Sequence, residues 1–94
     1  MLFRSKDDCD DVTPPCLLTY SSAQLSALNF VISRVSSLNI AAVNMSLGGD
    51  PQSTACDNNE LKPAIDRLRT MGVLTMIAAG NDGELGKISD PACV

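Results

Sequence analysis

Two apolar segments, one on each side of an amphipathic helix, constrain the fold of this chain more than any other feature. They are IAAVNMSL at 40–47 and VLTMIAA at 73–79, and NELKPAIDRLRTMG lies between them. A strand that is apolar along its whole length is typical of a parallel sheet whose two faces are both covered by helices. The order strand, helix, strand therefore predicts a right-handed βαβ unit over residues 40–79.

A first helix is predicted ahead of this unit, over residues 21–38. Its apolar residues recur every three or four positions, as on one buried helix face. Ser21 and Gln24 have the spacing of a capping box, and Asn39 suits a left-handed C-terminal position. We therefore expect the helix to begin at Ser21 and to end before Asn39.

The helix inside the βαβ unit is predicted over residues 59–71. Asn58 or Asn59 is the expected N-terminal cap, because short amide side chains accept hydrogen bonds from the first free backbone N–H groups. Gly72 follows the last apolar position, and Val73 comes next, as in a Schellman ending.

The N-terminal part of the chain is predicted to be irregular. MLF at 1–3 has the character of a strand end, whereas 4–19 contains two adjacent prolines and four aspartates, which disfavour regular structure. The aspartates, at 7–11, are expected to form a solvated surface. Calcium ligands, or an acidic rim that favours basic substrate residues, are the alternatives.

Four cysteines in a chain of 94 residues indicate an oxidising compartment and two disulfides. Zinc is disfavoured because no pair has the short C-x₂₋₄-C spacing and the chain contains no histidine. Cys9 and Cys16 flank the Pro-Pro turn and are expected to pair within the loop, which leaves Cys56 and Cys93 as the second pair. A secreted or extracytoplasmic location is therefore expected, with the leader outside this sequence.

Composition excludes several classes of function. The net charge is −4 and 45% of the residues are hydrophobic, which is typical of a folded domain. One tyrosine, two phenylalanines and no basic stripe disfavour nucleic-acid binding. No apolar run approaches the ~20 residues that a membrane-spanning helix needs.

Both strands of the βαβ unit end in polar, glycine-rich sequence. The first strand ends in NMSLGGD at 44–50, and the second ends in AAGNDG at 78–83. Ligands bind outside the carboxyl ends of parallel strands, and glycines let a bound molecule approach the backbone closely. The sequence therefore predicts a binding site at this edge of the sheet.

Taken together, these segments resemble the subtilisin-like serine proteases, the subtilases. The resemblance rests on AAVNMSLGGD, on LKPAIDRLRTMGVLTMIAAGNDG and on DPACV, and it extends over residues 40–94 and, as a strand end, loop and helix, over 1–39. It implies an α/β fold with part of a three-layer, doubly wound parallel sheet. The chain would be an internal fragment of one catalytic domain, and residues 80–94 would form a pocket loop.

The resemblance also assigns roles to residues of the site. Eight of them would contact an extended peptide substrate. Ser46, Leu47 and Gly48 would pair with it through their backbone. Ala78, Ala79 and Gly80 would form a wall of the pocket for the residue before the scissile bond, and Pro91 and Ala92 would form the base of that pocket. Asn81 would donate its side-chain amide to the oxyanion. The alternative is that Asn81 is a turn residue before Gly83.

The chain departs from the family pattern in its catalytic groups. It contains no D-[ST]-G motif, no G-T-S-M-A motif and no histidine. A serine without a base is a poor nucleophile at neutral pH. Serine-type endopeptidase activity is therefore expected of a longer parent protein, and the chain alone should be inactive.

The remaining expectations concern ligands and partners. The partner would be a peptide or protein substrate, with no nucleic acid and no membrane. No cofactor or metal is expected in this fragment, and calcium is possible in the parent. The fragment should dimerise or swap strands through its open sheet edges. The alternative function is that of a small, secreted, disulfide-stapled α/β binding domain.

Overall fold

The computed structural model describes residues 2–4 and 16–94 and places two helices and six strands in them. In chain order they are β1 (Leu2–Arg4), β2 (Cys16–Leu18), α1 (Ser21–Leu38), β3 (Ala42–Met45), β4 (Pro51–Gln52), α2 (Lys62–Thr70), β5 (Leu74–Ile77) and β6 (Ile88–Ser89).

Strands β3 and β5 pair in parallel, and α2 connects them. The register places Ala42 opposite Leu74 and Met45 opposite Ile77. The chain therefore has an α/β fold with a small parallel sheet, as the order of its elements predicts. Both strands are shorter than the predicted ranges 40–47 and 73–79, because each begins one or two residues later and leaves the ladder two residues earlier.

The core lies between the helices and one face of this sheet. Leu61, Leu68 and Val73 are almost completely buried, and Leu28 of α1 and Met45 of β3 join them in one cluster. The inward face of α2 thus packs against both α1 and the sheet.

The other face of the sheet is open. Leu74 is 62% exposed and Met76 is 54% exposed, and their parallel neighbours Ala42 and Asn44 are also exposed. The prediction that both faces are covered is wrong for the described chain. The side chains of a strand alternate between faces, and the core packs on the face that carries Met45.

Helix α1 has the predicted range, but not the predicted cap. Tyr20 is the N-cap residue and makes no side-chain capping bond; its carbonyl accepts hydrogen bonds from Ala23 N–H at 3.0 Å and Gln24 N–H at 3.1 Å. Ser21 is the first helical residue, so its hydroxyl lies one position too late for a capping box, and that prediction is wrong. Asn39 ends the helix with φ 51° and ψ 48°, as expected.

Helix α2 begins at Lys62 rather than at 59. Asn59 still caps the turn that precedes it, because its Oδ1 accepts a hydrogen bond from Leu61 N–H at 2.8 Å. The C-terminus is the predicted Schellman ending. Val73 N–H donates to the Leu68 carbonyl at 2.9 Å, and Gly72 has a φ of +80°.

The N-terminal strands correct another prediction. Residues Leu2–Arg4 pair antiparallel with Cys16–Leu18, so both ends of the predicted 4–19 loop belong to strands. The predicted Cys9–Cys16 disulfide and the aspartates at 7–11 involve residues outside the described ranges.

The C-terminal segment is attached to the rest of the fold in two ways. Strand β6 pairs antiparallel with β4, so the predicted 80–94 loop contains a short strand. The predicted disulfide between Cys56 and Cys93 is present, with 5.2 Å between the Cα atoms. In the described ranges no helix is long and apolar enough to cross a bilayer.

Candidate functional site

The carboxyl ends of β3 and β5 leave the sheet side by side. Ala78 N–H donates to the Met45 carbonyl at 3.1 Å, which extends the pairing one residue beyond the strands. A Cβ atom at Gly48 would lie 3.9 Å from Gly80 Cα. The structure therefore brings the two predicted substrate-binding segments, 46–48 and 78–80, into contact.

Residues 89–90, in the C-terminal part of the chain, form a third segment of the site. Ser89 N–H donates to the Ala79 carbonyl at 2.9 Å, and Gly49 N–H donates to the Asp90 carbonyl at 2.7 Å. Asp90 N–H in turn donates to the Asp50 carbonyl at 3.1 Å. These backbone bonds hold the three segments together independently of any ligand.

Gly80 is required by the close approach of Ser89. Its φ is +105°, and Ser89 Oγ occupies the position where a side chain at residue 80 would place its Cβ. Ser89 is 2% exposed and donates its hydroxyl to Asp82 Oδ2 at 3.4 Å. An L-residue at position 80 would meet both backbone strain and overlap with this serine.

Four of the predicted substrate-binding residues line one cavity of about 540 Å³: Ser46, Leu47, Gly48 and Pro91. The rest of its lining includes the start of α1, at Ser21 and Gln24, and the turn at Asn59 and Leu61. The cavity thus lies between the first helix and the segment that follows β3.

The other predicted wall belongs to a different and smaller cavity. Ala79 and Gly80 line a space of about 160 Å³ together with Asp82 and Ser89. Ala78 and Ala92 line neither of these two cavities in the described chain. The resemblance implies a single pocket with Ala79 and Gly80 as its wall and Pro91 as its base. In the structure these residues line two separate cavities.

Asn81 is exposed and lies directly after the bend at Gly80. Within the described residues its side chain forms no hydrogen bond, which leaves its amide free to donate to a ligand. Asn44, by contrast, donates its amide to Ser46 Oγ at 2.7 Å and so fixes the segment that follows β3.

Three side chains of the site were not anticipated from the sequence. Asp82, Ser89 and Asp90 line the two cavities, although only the neighbouring glycine and proline positions were predicted. The sequence feature that could have pointed to them is the pair of polar residues, Ser89 and Asp90, that follows a glycine-rich turn and directly precedes Pro91. Among the described residues, no group of three or more histidine, cysteine, aspartate or glutamate side chains could hold a metal ion.

No protein-family model, no curated protein and no solved structure matches this chain.

Proposed function

We propose that this chain is part of a subtilisin-like serine endopeptidase, to which it contributes a peptide-binding edge and the oxyanion-hole amide. The observation that carries the proposal is the convergence of 46–48 and 78–80 at one sheet edge, with the free amide of Asn81 directly beyond them. A peptide substrate and a hydrogen-bond donor for its carbonyl oxygen would then meet at the same place.

The backbone of Ser46, Leu47 and Gly48 supports peptide binding. These residues follow β3 outside the ladder, and their backbone groups form no backbone hydrogen bond within the described residues. An extended peptide can add to such an edge as a further strand, where its main chain supplies affinity and neighbouring cavities hold its side chains.

The amide of Asn81 supports acyl transfer. Negative charge develops on the substrate carbonyl oxygen only as the tetrahedral intermediate forms, so a fixed donor stabilises the transition state more than the bound substrate. The sheet provides the fixed mount, because β5 pairs with β3 up to Ile77 and the ladder continues to Ala78.

The nucleophile and its base would come from elsewhere in the parent protein. The chain has no histidine, and an unactivated serine does not attack an amide at a useful rate. The disulfide between Cys56 and Cys93 is in keeping with a secreted or extracytoplasmic enzyme.

A fluorophosphonate probe tests the proposal, because it labels only a serine that an adjacent base has activated. We expect labelling of the protein encoded by the complete open reading frame and no labelling of the 94-residue chain. The heat-denatured parent serves as the control for nonspecific reaction. A folded parent that is not labelled and cleaves no peptide would contradict the proposal.

The alternative function is that of a small binding domain stabilised by disulfides. The cavity of about 540 Å³ and the Cys56–Cys93 bond favour it, since both exist without any catalytic group. An open reading frame with no histidine and no serine motif on either side of this chain would decide for the binding domain.

A further inference from the structure

Asp90 carries a carboxylate oxygen that no described residue satisfies. Its Oδ1 is buried and has no hydrogen-bond partner. Buried acceptors without a partner are rare in native proteins, and each calls for a physical explanation. The backbone of Asp90 is held by Gly49 and Asp50, whereas its carboxylate can still rotate about χ1 and χ2 toward the cavity that the residue lines.

Gly49 makes room for this carboxylate. A Cβ atom at residue 49 would overlap Asp90 Oδ1, so the absence of a side chain is what allows the two segments to approach. The acidic group is thus packed against the backbone that follows the predicted peptide-binding residues.

Asp90 is also the one charged residue among the described residues that line the cavity of about 540 Å³. The other described lining residues are apolar or neutral and include the hydroxyl of Ser21 and the amides of Gln24 and Asn59. Among the described lining residues, the cavity therefore combines one negative charge with neutral hydrogen-bonding groups.

We infer that this cavity binds a cationic side chain, arginine or lysine, of a peptide that lies along Ser46, Leu47 and Gly48, and that Asp90 determines this specificity. The inference rests on the proposed function, because it assigns a substrate class to the same peptide-binding edge. A guanidinium or ammonium group would form a charge-assisted hydrogen bond with the carboxylate, which is shorter and stronger than a neutral one.

Selection against other side chains follows from the same carboxylate. A neutral side chain would offer the carboxylate no ionic partner, and an acidic one would add repulsion. The net charge of −4 on the chain also favours the approach of cationic peptides over anionic ones.

The test compares peptides that differ only in charge at one side chain. Acetylated, amidated hexapeptides of alanine and serine would carry a single arginine at each position in turn, with citrulline, its neutral isostere, in a matched series. Affinities for the 94-residue chain would be measured by NMR titration, from the amide resonances of Gly48, Gly49 and Asp90. At one position we expect arginine to bind at least about tenfold more tightly than citrulline, a difference of about 1.4 kcal/mol.

Two variants test whether Asp90 causes the preference for arginine over citrulline. Asp90→Asn should bring the arginine-to-citrulline ratio close to one, whereas Asp66→Asn, the same change at an aspartate of α2 that lines none of the cavities beside Asp90, should leave the ratio unchanged. If Asp90→Asn fails to fold, a glutamate series on the unaltered chain decides, since glutamate must then bind more weakly than citrulline.

Equal affinities for arginine and citrulline at every position, or a preference that survives in Asp90→Asn, would overturn the inference. Peptide binding without charge preference would overturn it and leave the proposed peptide-binding edge intact. Absence of all peptide binding would also overturn it, and fluorophosphonate labelling of the parent would then show separately whether the protease proposal stands.

Discussion

At the scale of single residues, Asn81 separates the proposed oxyanion role from the alternative of a turn residue. Gly80 turns the chain away from β5 with a φ of +105°, and the residue that follows is exposed at the edge where the two predicted peptide-binding segments meet. A turn residue at this place would need no hydrogen-bond donor, whereas an oxyanion site would.

Asn81→Leu in the parent enzyme should lower kcat and leave KM nearly unchanged. Leucine is similar in size but has no donor, so it removes an interaction made only in the transition state. The expected loss, ~10²–10³ in kcat, is the magnitude known for the oxyanion-hole asparagine of subtilisin and is carried over from it. Steady-state kinetics on a peptide anilide would measure it.

Asn58→Leu is the matched control, because Asn58 is exposed and lies outside the proposed peptide-binding edge. It should leave kcat unchanged. If Asn81→Leu leaves kcat unaltered, or changes KM alone, Asn81 is a turn residue and the oxyanion assignment is wrong.

Gly80→Ala should destabilise the chain more than Gly83→Ala does. Both residues have positive φ, but a Cβ at Gly80 would overlap Ser89 Oγ, whereas a Cβ at Gly83 meets nothing within 4 Å. Backbone strain of this kind costs about 1–3 kcal/mol, and overpacking adds about 1–3 kcal/mol at Gly80 alone. Urea denaturation followed by circular dichroism measures both free energies of unfolding, and equal losses would count against the close approach of Ser89.

At the scale of elements, local sequence predicts the helices better than the strands. The range of α1 agrees with its apolar periodicity, and the ending of α2 agrees with Gly72, because both signals lie within one or two turns of the chain. The cap of α1 does not agree. Ser21 and Gln24 have suitable spacing, but the helix begins one residue too early for Ser21 to be the N-cap.

The strands depend on partners that are distant in sequence. Pro51–Gln52 and Ile88–Ser89 form a sheet only because they pair with each other, and neither segment has an alternating apolar pattern. The same pairing brings Asp90 beside Gly49. The sequence therefore predicts the glycine and asparagine residues of the site, but not the acidic side chain of its larger cavity.

The disulfide between Cys56 and Cys93 should stabilise this pairing. It spans 37 residues and ties the segment before α2 to the segment after β6. In the chain-entropy treatment a loop of this length is worth ~3–4 kcal/mol, so Cys56→Ala with Cys93→Ala should lower the free energy of unfolding by that amount. Denaturation of both chains without reductant provides the comparison.

Peptide mapping without reductant is the control for connectivity. It should yield a peptide that joins Cys56 to Cys93. A peptide that joins Cys9 to Cys56, or Cys16 to Cys93, would show a different arrangement and remove the physical basis of the expected loss.

At the scale of the whole molecule, the described chain has a small core on one face of a two-stranded parallel sheet. The core holds Leu61, Leu68 and Val73, whereas Leu74 and Met76 project from the opposite face. Sheets of two strands are marginal in isolation, and an apolar face without a covering layer favours association.

The chain should therefore self-associate through this face. We expect sedimentation velocity of the 94-residue chain to show a dimer that dissociates on dilution, because burying Leu74 and Met76 removes apolar surface from water at about 25 cal/mol per Å². Leu74→Thr with Met76→Thr keeps residues of acceptable β-propensity and should shift the chain to monomer. Leu85→Thr is the matched control, since Leu85 is 99% exposed but lies outside the sheet, and it should not change the distribution. A monomer at crystallisation concentration would rule out this face as the interface. A dimer that persists in the double variant would also rule it out, and would point instead to pairing or strand exchange at the free edges of β3 and β5.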